Sequence, residues 1–374
     1  MTQQTPPPSI SQIGDALRNI STNFHGIHVE DDIVKRRSSV ALILRFPNLA
    51  TCDLDSDPSS VTDLINAGTD ASISSYPEIL FIKRTSRKGD RWSGHVALPG
   101  GKRDPDDESD EACAVRETLE EVGFDLNKLG RLVGPLDQRL VKTSWGRITL
   151  MTLCPFVYVL TPDAVRLSYK ESLLTLQPTE IDRAFWIPVD QLYFPERASS
   201  FETVGLGDRL RLHKSPFLPK PLVSTLSRIN AFGEMHFGAI DLTEPRDMVL
   251  SVPNETDKAV LPYKLWGLTH GVIVDLLELF QPHSAAQFFL FPTLTAPDIR
   301  FFIYVFSYNY VKTKRDAFLR GPVNRYHEGQ LDITGKALAN YFPFLAKAIY
   351  AGLAFRVTLI AAIIYFILRR KLRK

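Results

Sequence analysis

The sequence predicts an α+β domain in which a mixed β-sheet lies between helices in an α/β/α sandwich, with a hydrophobic segment added at the C-terminus. Three observations predict it. Apolar β-rich runs and amphipathic helical stretches both occur between residues 38 and 280. A glycine-rich turn leads into an acidic helix at residues 98–124. A nearly uncharged run at residues 348–368 has the length of a membrane-spanning helix.

The elements are expected in the following order. Residues 1–37 form an N-terminal tail with one short amphipathic helix, in which Ile13, Leu17 and Ile20 recur at helical spacing. Strands are expected at Ser38–Phe46, Glu78–Arg84 and residues 132–139, 147–160 and 179–188, with a short helix near residues 61–67 and a strand leading into a long helix at residues 263–280. The proline-rich residues 190–260 are expected to be a loop-like insertion within a domain that covers residues 38–282.

Composition argues against several functional classes. The 374 residues carry a net charge of only +2, and no basic stripe is interleaved with aromatic residues, so nucleic-acid binding is not expected. Three scattered cysteines indicate a reducing compartment without a disulfide framework or a zinc site. The N-terminus lacks the apolar run of a signal peptide.

The stretch that organises the chain is LPGGKRDPDDESDEACAVRETLEEVGF, residues 98–124. The proline and glycines at 99–101 break regular structure, and residues 110–122 suit a helix that Gly123 ends. Apolar residues are expected to share its core-facing side: Val115, Leu119 and Val122. Carboxylates occupy the opposite side at i, i+3 and i+4: Glu117, Glu120 and Glu121.

These three carboxylates repel one another, and the helix contains no lysine to compensate them. Hard divalent cations would neutralise the cluster, since Mg²⁺ takes oxygen ligands and binds substrate phosphates as well. A solvated acidic face is the alternative for an ordinary helix of this kind. The Gly-Gly turn and the Arg-Glu-x-x-Glu-Glu-x-Gly spacing together favour the metal site.

This stretch resembles the Nudix box, Gly-x5-Glu-x7-Arg-Glu-U-x-Glu-Glu-x-Gly-U, where U is apolar. Glu108, Arg116, Gly123 and Phe124 stand at the matching positions together with the three glutamates. Thr118 occupies an apolar position, and Lys102 replaces the first glycine. The coenzyme A diphosphatase branch of the family is similar there, with Pro-Gly-Gly-Lys and the same longer loop. Four residues depart from the usual pattern of that branch: Asp90, Trp92, His95 and Leu98.

The resemblance implies a role for each matching residue. The glutamate face would bind Mg²⁺ or Mn²⁺, Gly101 would add a backbone carbonyl, and Arg116 would orient the glutamates. Glu180, before a late strand, is the candidate outside the box that helps position water or metal, with a surface glutamate as the alternative. Basic residues are the candidates for binding substrate phosphates, with a solvated basic loop as the alternative: Lys83, Arg84, Arg91 and Lys102.

The function that the resemblance implies is metal-dependent hydrolysis of a diphosphate bond in a nucleoside diphosphate derivative. Coenzyme A or acyl-CoA, cleaved to 3′,5′-ADP and 4′-phosphopantetheine, is the first expectation. ADP-ribose, NADH and diadenosine polyphosphates are the alternatives. A binding protein that has lost turnover is a further alternative, which loss of box glutamates would support, although all of them are present. The oligomeric state is left open, with a homodimer among the partners considered.

The C-terminal third predicts membrane attachment. Residues 283–347 are expected to be an aromatic and basic juxtamembrane segment, 348–368 a transmembrane helix and 369–374 a basic tail. The helix would be about 31 Å long, close to the roughly 30 Å hydrocarbon core. Arg356 would cost about 2.5–3.5 kcal/mol near its middle, against about 0.3–0.6 kcal/mol gained by each strongly apolar residue. A buried or amphipathic helix is the alternative.

The topology of that attachment stays open at this stage. A single span would carry five cations of the last six residues across, against the positive-inside tendency. A hairpin that uses Phe288–Val311 would keep both ends cytosolic, and an interfacial first segment is a third arrangement. The catalytic domain is expected to face the cytosol from the mitochondrial outer membrane, the peroxisome or the endoplasmic reticulum.

Overall fold

A mixed β-sheet between helices forms the centre of the fold, which confirms the predicted fold class. The structure is a computed structural model, and it describes residues 6–22, 28–29, 36–52, 60–70, 75–87, 93–142, 148–170, 174–193, 200–205, 233–251, 262–284, 289–320 and 333–372. The strands are β1 Arg37–Arg45, β2 Glu78–Arg84, β3 Val96–Ala97, β4 Gly100–Lys102, β5 Gly130–Pro135, β6 Arg139–Lys142, β7 Thr149–Leu160, β8 Ile181–Pro188, β9 Ser200–Gly205, β10 Glu234–Leu242, β11 Arg246–Leu250, β12 Tyr263–Trp266 and β13 Thr293–Leu294. The helices are α1 Ile10–Thr22, α2 Val61–Gly68, α3 Asp110–Val122, α4 Leu126–Leu129, α5 Pro162–Ser168, α6 Gly267–Phe280, α7 Pro297–Arg320, α8 Ile333–Leu338 and α9 Phe342–Leu372.

The main sheet holds the site in place. Among the described residues it has nine strands in the order β11-β8-β2-β1-β7-β5, with β3 beside β2, β4 beside β1 and β6 beside β7. The β1–β7 pair is parallel and the other pairs are antiparallel. The buried strands β1 and β2 read as near-continuous apolar runs, which is typical of strands covered on both faces. The candidate site residues lie on β2, on β4, on α3, which packs against β1 and β4, and, for Glu180, in the turn before β8.

The N-terminal tail belongs to the fold. Its predicted helix is α1, and Ile13, Leu17 and Ile20 are buried at the spacing that the sequence indicated. The helix packs on α2, β5 and α6. The short helix predicted near residues 61–67 is α2, which Ser60 caps by accepting a hydrogen bond from the Thr62 N–H. The predicted strand Glu78–Arg84 has the observed bounds of β2.

The expectation of a loop-like segment at residues 190–260 is wrong for its described residues, which include β9, β10 and β11. β11 adds to the edge of the main sheet beside β8, whereas β10 forms a second, antiparallel sheet with β9, β12 and β13. Pro245 lies in the turn between β10 and β11, so this proline flanks the strands instead of interrupting them. The stretches 206–232 and 252–261 lie outside the described residues.

The C-terminal segment is partly folded against the second sheet. Helices α7 and α9 pack on each other, and their buried side chains share a small core with Met235 of β10 and Leu294 of β13. Residues 283–347 therefore include structured elements as well as the exposed aromatic and basic surface that the sequence suggested. Among the described residues, one helical stretch, Ile333–Leu372, is long and apolar enough to cross a membrane by length and composition.

Candidate active site

The acidic helix α3 is fixed at both ends. Its N-cap Ser109 accepts a hydrogen bond from the Ala112 N–H at 3.0 Å. Asp110, in the first turn, pairs with Arg37 of β1, with a shortest distance of 2.6 Å. Gly123 ends the helix with a φ of +71°, in the left-handed region that glycine tolerates best. These anchors set where the glutamates of the helix lie over β1 and β4.

The face that α3 buries matches the predicted one in part, since Val122 is buried and Val115 packs against the core as expected. Leu119, expected in the core, is 48% exposed, whereas Thr118 and Glu121 are buried. Thr118 is accommodated because its hydroxyl donates to the Ala114 carbonyl one turn earlier, at 2.7 Å. Glu121 belongs to the buried face because it accepts a hydrogen bond from the glycine turn, a contact that apolar periodicity does not reveal.

Glu121 is the most enclosed carboxylate of the site. Its Oε2 accepts a hydrogen bond from the Gly100 N–H at 2.9 Å, and its Oε1 lies 3.4 Å from Arg84 Nη1 on β2. The pKa of Glu121 is raised to about 8, chiefly by burial. The charges of Glu117 and Glu180 contribute to the rise, and the Gly100 N–H and Arg84 oppose it. A positive charge placed beside Glu121 would offset the free-energy cost of ionising this buried carboxylate.

Glu117 lies directly against the backbone of Gly101. A Cβ at position 101 would come within 2.3 Å of the Glu117 carboxyl group, so a larger residue there would displace this carboxylate. Burial raises the pKa of Glu117, and Glu120 and Glu180 add to this effect while Arg116 opposes it. The Gly101 carbonyl accepts hydrogen bonds from the Ser38 hydroxyl at 2.6 Å and from the Cys113 thiol at 3.7 Å.

Arg116 connects the glutamates to the acidic loop. Its Nη1 lies 3.0 Å from Glu117 and 3.1 Å from Glu120, and its Nε and Nη2 donate to the two oxygens of Asp107 at 2.9 Å. These bonds lower the pKa of Asp107 to about 2. Sequence analysis did not single out Asp107, which lies in the acidic loop at residues 104–110. Its position nine residues before Arg116 carries no signal, because loop geometry brings the two together.

The other predicted residues surround the helix to different degrees. Glu180 lies 3.8 Å from Arg87 and close enough to raise the pKa values of Glu117 and Glu121. Arg84 reaches Glu121, whereas Lys83 faces Asp182 at 3.7 Å and the ring of Tyr263. Lys102 is exposed, and its carbonyl accepts from Arg116 at 3.2 Å. Arg91, with Asp90 and Trp92, lies outside the described residues.

The comparison with known families agrees with this geometry. A family model described as NUDIX domain matches residues 69–204, which contain β2, the glycine turn, α3 and β8. The chain belongs to the Nudix family. It is a Nudix hydrolase, as the box predicted, and its likeness is to the coenzyme A diphosphatase branch.

Two protein relatives extend the comparison. An uncharacterised protein of Schizosaccharomyces pombe is 32% identical over 335 residues, which cover 87% of this chain and 88% of that protein. The human mitochondrial coenzyme A diphosphatase NUDT8 is 39% identical over 75 residues, 20% of this chain and 30% of that protein. The likeness to the fission yeast protein therefore extends well beyond residues 69–204, which the family model matches, whereas the likeness to NUDT8 is local.

A solved structure is also similar at low score. The NUDIX domain of Shewanella oneidensis NrtR, complexed with ADP ribose, is 14% identical and covers 41% of this chain and 72% of that chain, with a TM-score of 0.25. A score this low assigns neither a residue role nor a ligand to this Nudix domain.

The Nudix box residues fit a divalent metal ion, the general cofactor of Nudix hydrolases. The donors are carboxylate oxygens, and Glu117, Glu120, Glu121 and Glu180 interact electrostatically. Among the described residues no three Asp, Glu, His or Cys side chains already form a metal-binding group. A bound ion would therefore complete its shell with water and substrate phosphate oxygens, as Mg²⁺ commonly does.

Arg116→Lys is expected to weaken metal use in this Nudix box. Lysine keeps the charge but lacks the fork that holds Asp107 and both glutamates together. The metal concentration for half-maximal activity should rise about 10–100-fold, as for other groups that orient metal ligands. Arg103→Lys, between β4 and α3, is the matched control, because Arg103 pairs with Asp110 and not with the glutamates, and it should change the metal dependence little. An unchanged metal dependence in Arg116→Lys would contradict an orienting role.

Proposed function

We propose that this Nudix hydrolase cleaves the diphosphate bond of coenzyme A or an acyl-CoA, releasing 3′,5′-ADP and a 4′-phosphopantetheine species. The observation that carries the proposal is the contact of Arg84 with the buried Glu121 beside the Gly100 turn. It sets a cation for phosphate next to the carboxylates that would hold the metal. The Pro-Gly-Gly-Lys turn and the local similarity to NUDT8 support coenzyme A as the substrate.

In this proposal, Glu117, Glu120 and Glu121 hold Mg²⁺ or Mn²⁺, and the Gly101 carbonyl is a further candidate ligand. When bound, the ions neutralise the diphosphate and lower the pKa of the attacking water. Arg84 binds a phosphate oxygen, with Lys83, Lys102 and Arg91 as further candidates. Glu180 orients the water. The oxygen of the water forms a bond to one phosphorus as the bridging P–O bond breaks, so that each product keeps one phosphate of the diphosphate.

We also propose that α9 attaches the enzyme to a membrane with the catalytic domain in the cytosol. The support is its apolar composition, and every side chain from Val357 to Leu372 is exposed. NUDT8 is a mitochondrial protein by name, which favours the mitochondrial outer membrane over the peroxisome and the endoplasmic reticulum. Attachment would place hydrolysis where acyl-CoAs are handled.

Incubation of the full chain, purified in detergent, with candidate substrates tests the activity. The compounds are coenzyme A, acetyl-CoA, ADP-ribose, NADH and diadenosine tetraphosphate, each with Mg²⁺, with Mn²⁺ and with EDTA. The full chain is used because β13 and α7 pack with β10. The expected result is metal-dependent release of 3′,5′-ADP from coenzyme A and acetyl-CoA.

Two other outcomes would change the proposal. Faster cleavage of another compound would retain the chemistry and reject coenzyme A as the preferred substrate. No cleavage by a folded protein that still binds Mn²⁺ would reject turnover of these compounds and favour a binding function.

A further inference from the structure

Helix α9 leaves the body of the protein at Arg356. Before that residue, Leu345, Ala348, Ile349 and Gly352 are buried in the small core shared with α7 and the second sheet. After it, every residue from Val357 to Leu372 is exposed. The helix therefore has a packed base and a projecting apolar end.

The projecting end is too short to cross a bilayer by itself. The apolar run Val357–Leu368 would be about 18 Å long, against a hydrocarbon core of roughly 30 Å. The missing length corresponds to about eight residues, which is the stretch from Ile349 to Arg356. Because α7 packs beside that stretch, a spanning α9 must bring the N-terminal half of α7 to the membrane.

The N-terminal half of α7 has a surface suited to that position. The ring of Phe302 lies beside the rings of Phe301 and Phe306 on α7 and of Phe355 on α9. The centroid distances are 5.6–6.2 Å. We call these four residues the aromatic collar. Phe301 is 61% exposed and Phe355 is 49% exposed, so much of the collar has no cover within the described residues. Phenylalanine side chains on the apolar face of an interfacial helix are buried at the boundary between headgroups and acyl chains.

The exposed face of α7 that carries Phe301 changes from aromatic to basic along its length. Phe301, Val305 and Tyr308 are followed at helical spacing by Lys312 and Arg315, all exposed. The aromatic end lies beside the exit point of α9, and the cations lie farther from it. This order matches a bilayer surface, in which acyl chains are followed by anionic headgroups, better than a uniformly apolar protein partner.

Arg356 does not bring an isolated charge to this boundary. Its Nε and Nη2 contact the two oxygens of Asp298, in the first turn of α7, at 2.5 and 2.7 Å. The pair has no net charge, and both side chains are partly buried. A paired arginine opposes entry into the acyl region far less than an isolated one.

We propose that the aromatic collar seats the protein body in the acyl–headgroup boundary of a lipid bilayer, with the Arg356–Asp298 pair at its inner edge. This rests on the membrane attachment of α9 proposed above. The collar adds a second contact with the bilayer, which fixes the depth and the tilt of the catalytic domain relative to the membrane.

Depth-dependent fluorescence quenching tests the collar in the full chain. The Phe301→Trp variant is reconstituted into phosphatidylcholine–phosphatidylserine vesicles that contain lipids brominated near the glycerol end of the acyl chain. The unsubstituted protein has four tryptophans of its own. Its fluorescence loss in the same vesicles is therefore subtracted from that of each variant. Tyr365→Trp, on the projecting end of α9, reports on insertion, and Leu167→Trp, exposed on α5, reports on solvent.

The expected result is that Phe301→Trp is quenched about threefold more than Leu167→Trp, because the collar meets the acyl boundary. Asp298→Asn in the Phe301→Trp background keeps a polar group at the start of α7 but leaves Arg356 charged, and should reduce that quenching. Hydrolysis by each variant is a separate readout that the collar should not alter.

The quenching pattern separates the possible failures. Quenching of Tyr365→Trp without quenching of Phe301→Trp would overturn the collar while keeping the anchor, and a concentration-dependent dimer would then assign the face to a second copy of the chain. Absence of quenching at both sites would overturn the anchor and the collar together. Neither result depends on whether coenzyme A is the substrate.

Discussion

Changing Glu121 to glutamine is expected to lower kcat on the order of 10³-fold while leaving the fold intact. Glutamine keeps an oxygen for the Gly100 N–H, so the glycine turn retains its hydrogen bond. It loses the negative charge that would hold a divalent ion beside Arg84. The rise in Tm caused by Mg²⁺ or Mn²⁺ should shrink together with the activity.

Glu111→Gln is the matched control for that change. Glu111 lies on the same helix, where it accepts a hydrogen bond from the Tyr158 hydroxyl at 3.3 Å. Loss of the Glu111 charge should leave kcat within about twofold of the wild-type value, since Glu111 lies outside the candidate metal site. A folded Glu121→Gln protein that retained activity comparable to this control would reject the assignment of Glu121 as a metal ligand.

The pH dependence of stability gives a second measurement on Glu121. Burial raises its pKa from 4.5 to about 8 in the folded protein. The folded state therefore binds a proton more tightly than the unfolded state, and stability is lost as pH rises between these values. In EDTA, the wild type should lose more stability than Glu121→Gln across this window. Equal losses, measured by thermal unfolding at matched pH, would contradict the proposed burial effect.

The parts of the fold that depend on local signals were predictable. β2 is a continuous apolar run whose bounds were predicted, and a short helix was expected near residues 61–67, where α2 lies. The position of α6 after the strand β12 followed from its apolar side chains in the same way. These features require no knowledge of what each segment packs against.

The parts that depend on tertiary contacts were not predictable in the same way. The second sheet joins β9 and β10 to β12 and β13, and a proline-rich sequence gives little sign of such distant pairing. A helical wheel assigns the residues of α3 to faces but does not show which face packs against the sheet. The burial of Glu121 beside Gly100 depends on the folded glycine turn, which a helical wheel does not represent.

The candidate site shows the same division. The spacing of Glu117, Glu120 and Glu121 was evident, but the hydrogen bonds from Arg116 to Asp107 depend on the path of the loop. The charge of Arg356 was expected to disfavour insertion of the C-terminal helix into a membrane. Its partner Asp298 is 58 residues away, so the pair was invisible in the helix sequence.

Changing Arg45 to methionine is expected to lower the free energy of unfolding by about 3–5 kcal/mol. The Arg45 side chain is fully buried, and its Nε donates to Glu78 at 2.6 Å. Its guanidinium lies 4.3 Å from the ring centroid of Trp186 and also pairs with Asp247. One cation thus connects β1, β2, β8 and β11, and methionine would leave the buried carboxylate of Glu78 with less compensation.

Two further variants separate the charge from the packing. Arg246→Met removes the other partner of Glu78, at 2.7 Å, but Arg246 is 56% exposed and its loss should cost about 1 kcal/mol or less. Adding Glu78→Gln to Arg45→Met removes the uncompensated charge and should restore part of the stability, because the penalty comes from leaving one buried partner ionised. Chemical unfolding followed by tryptophan fluorescence would measure all three. If the double variant were no more stable than Arg45→Met, lost packing around Trp186 would account for the effect instead of the buried charge.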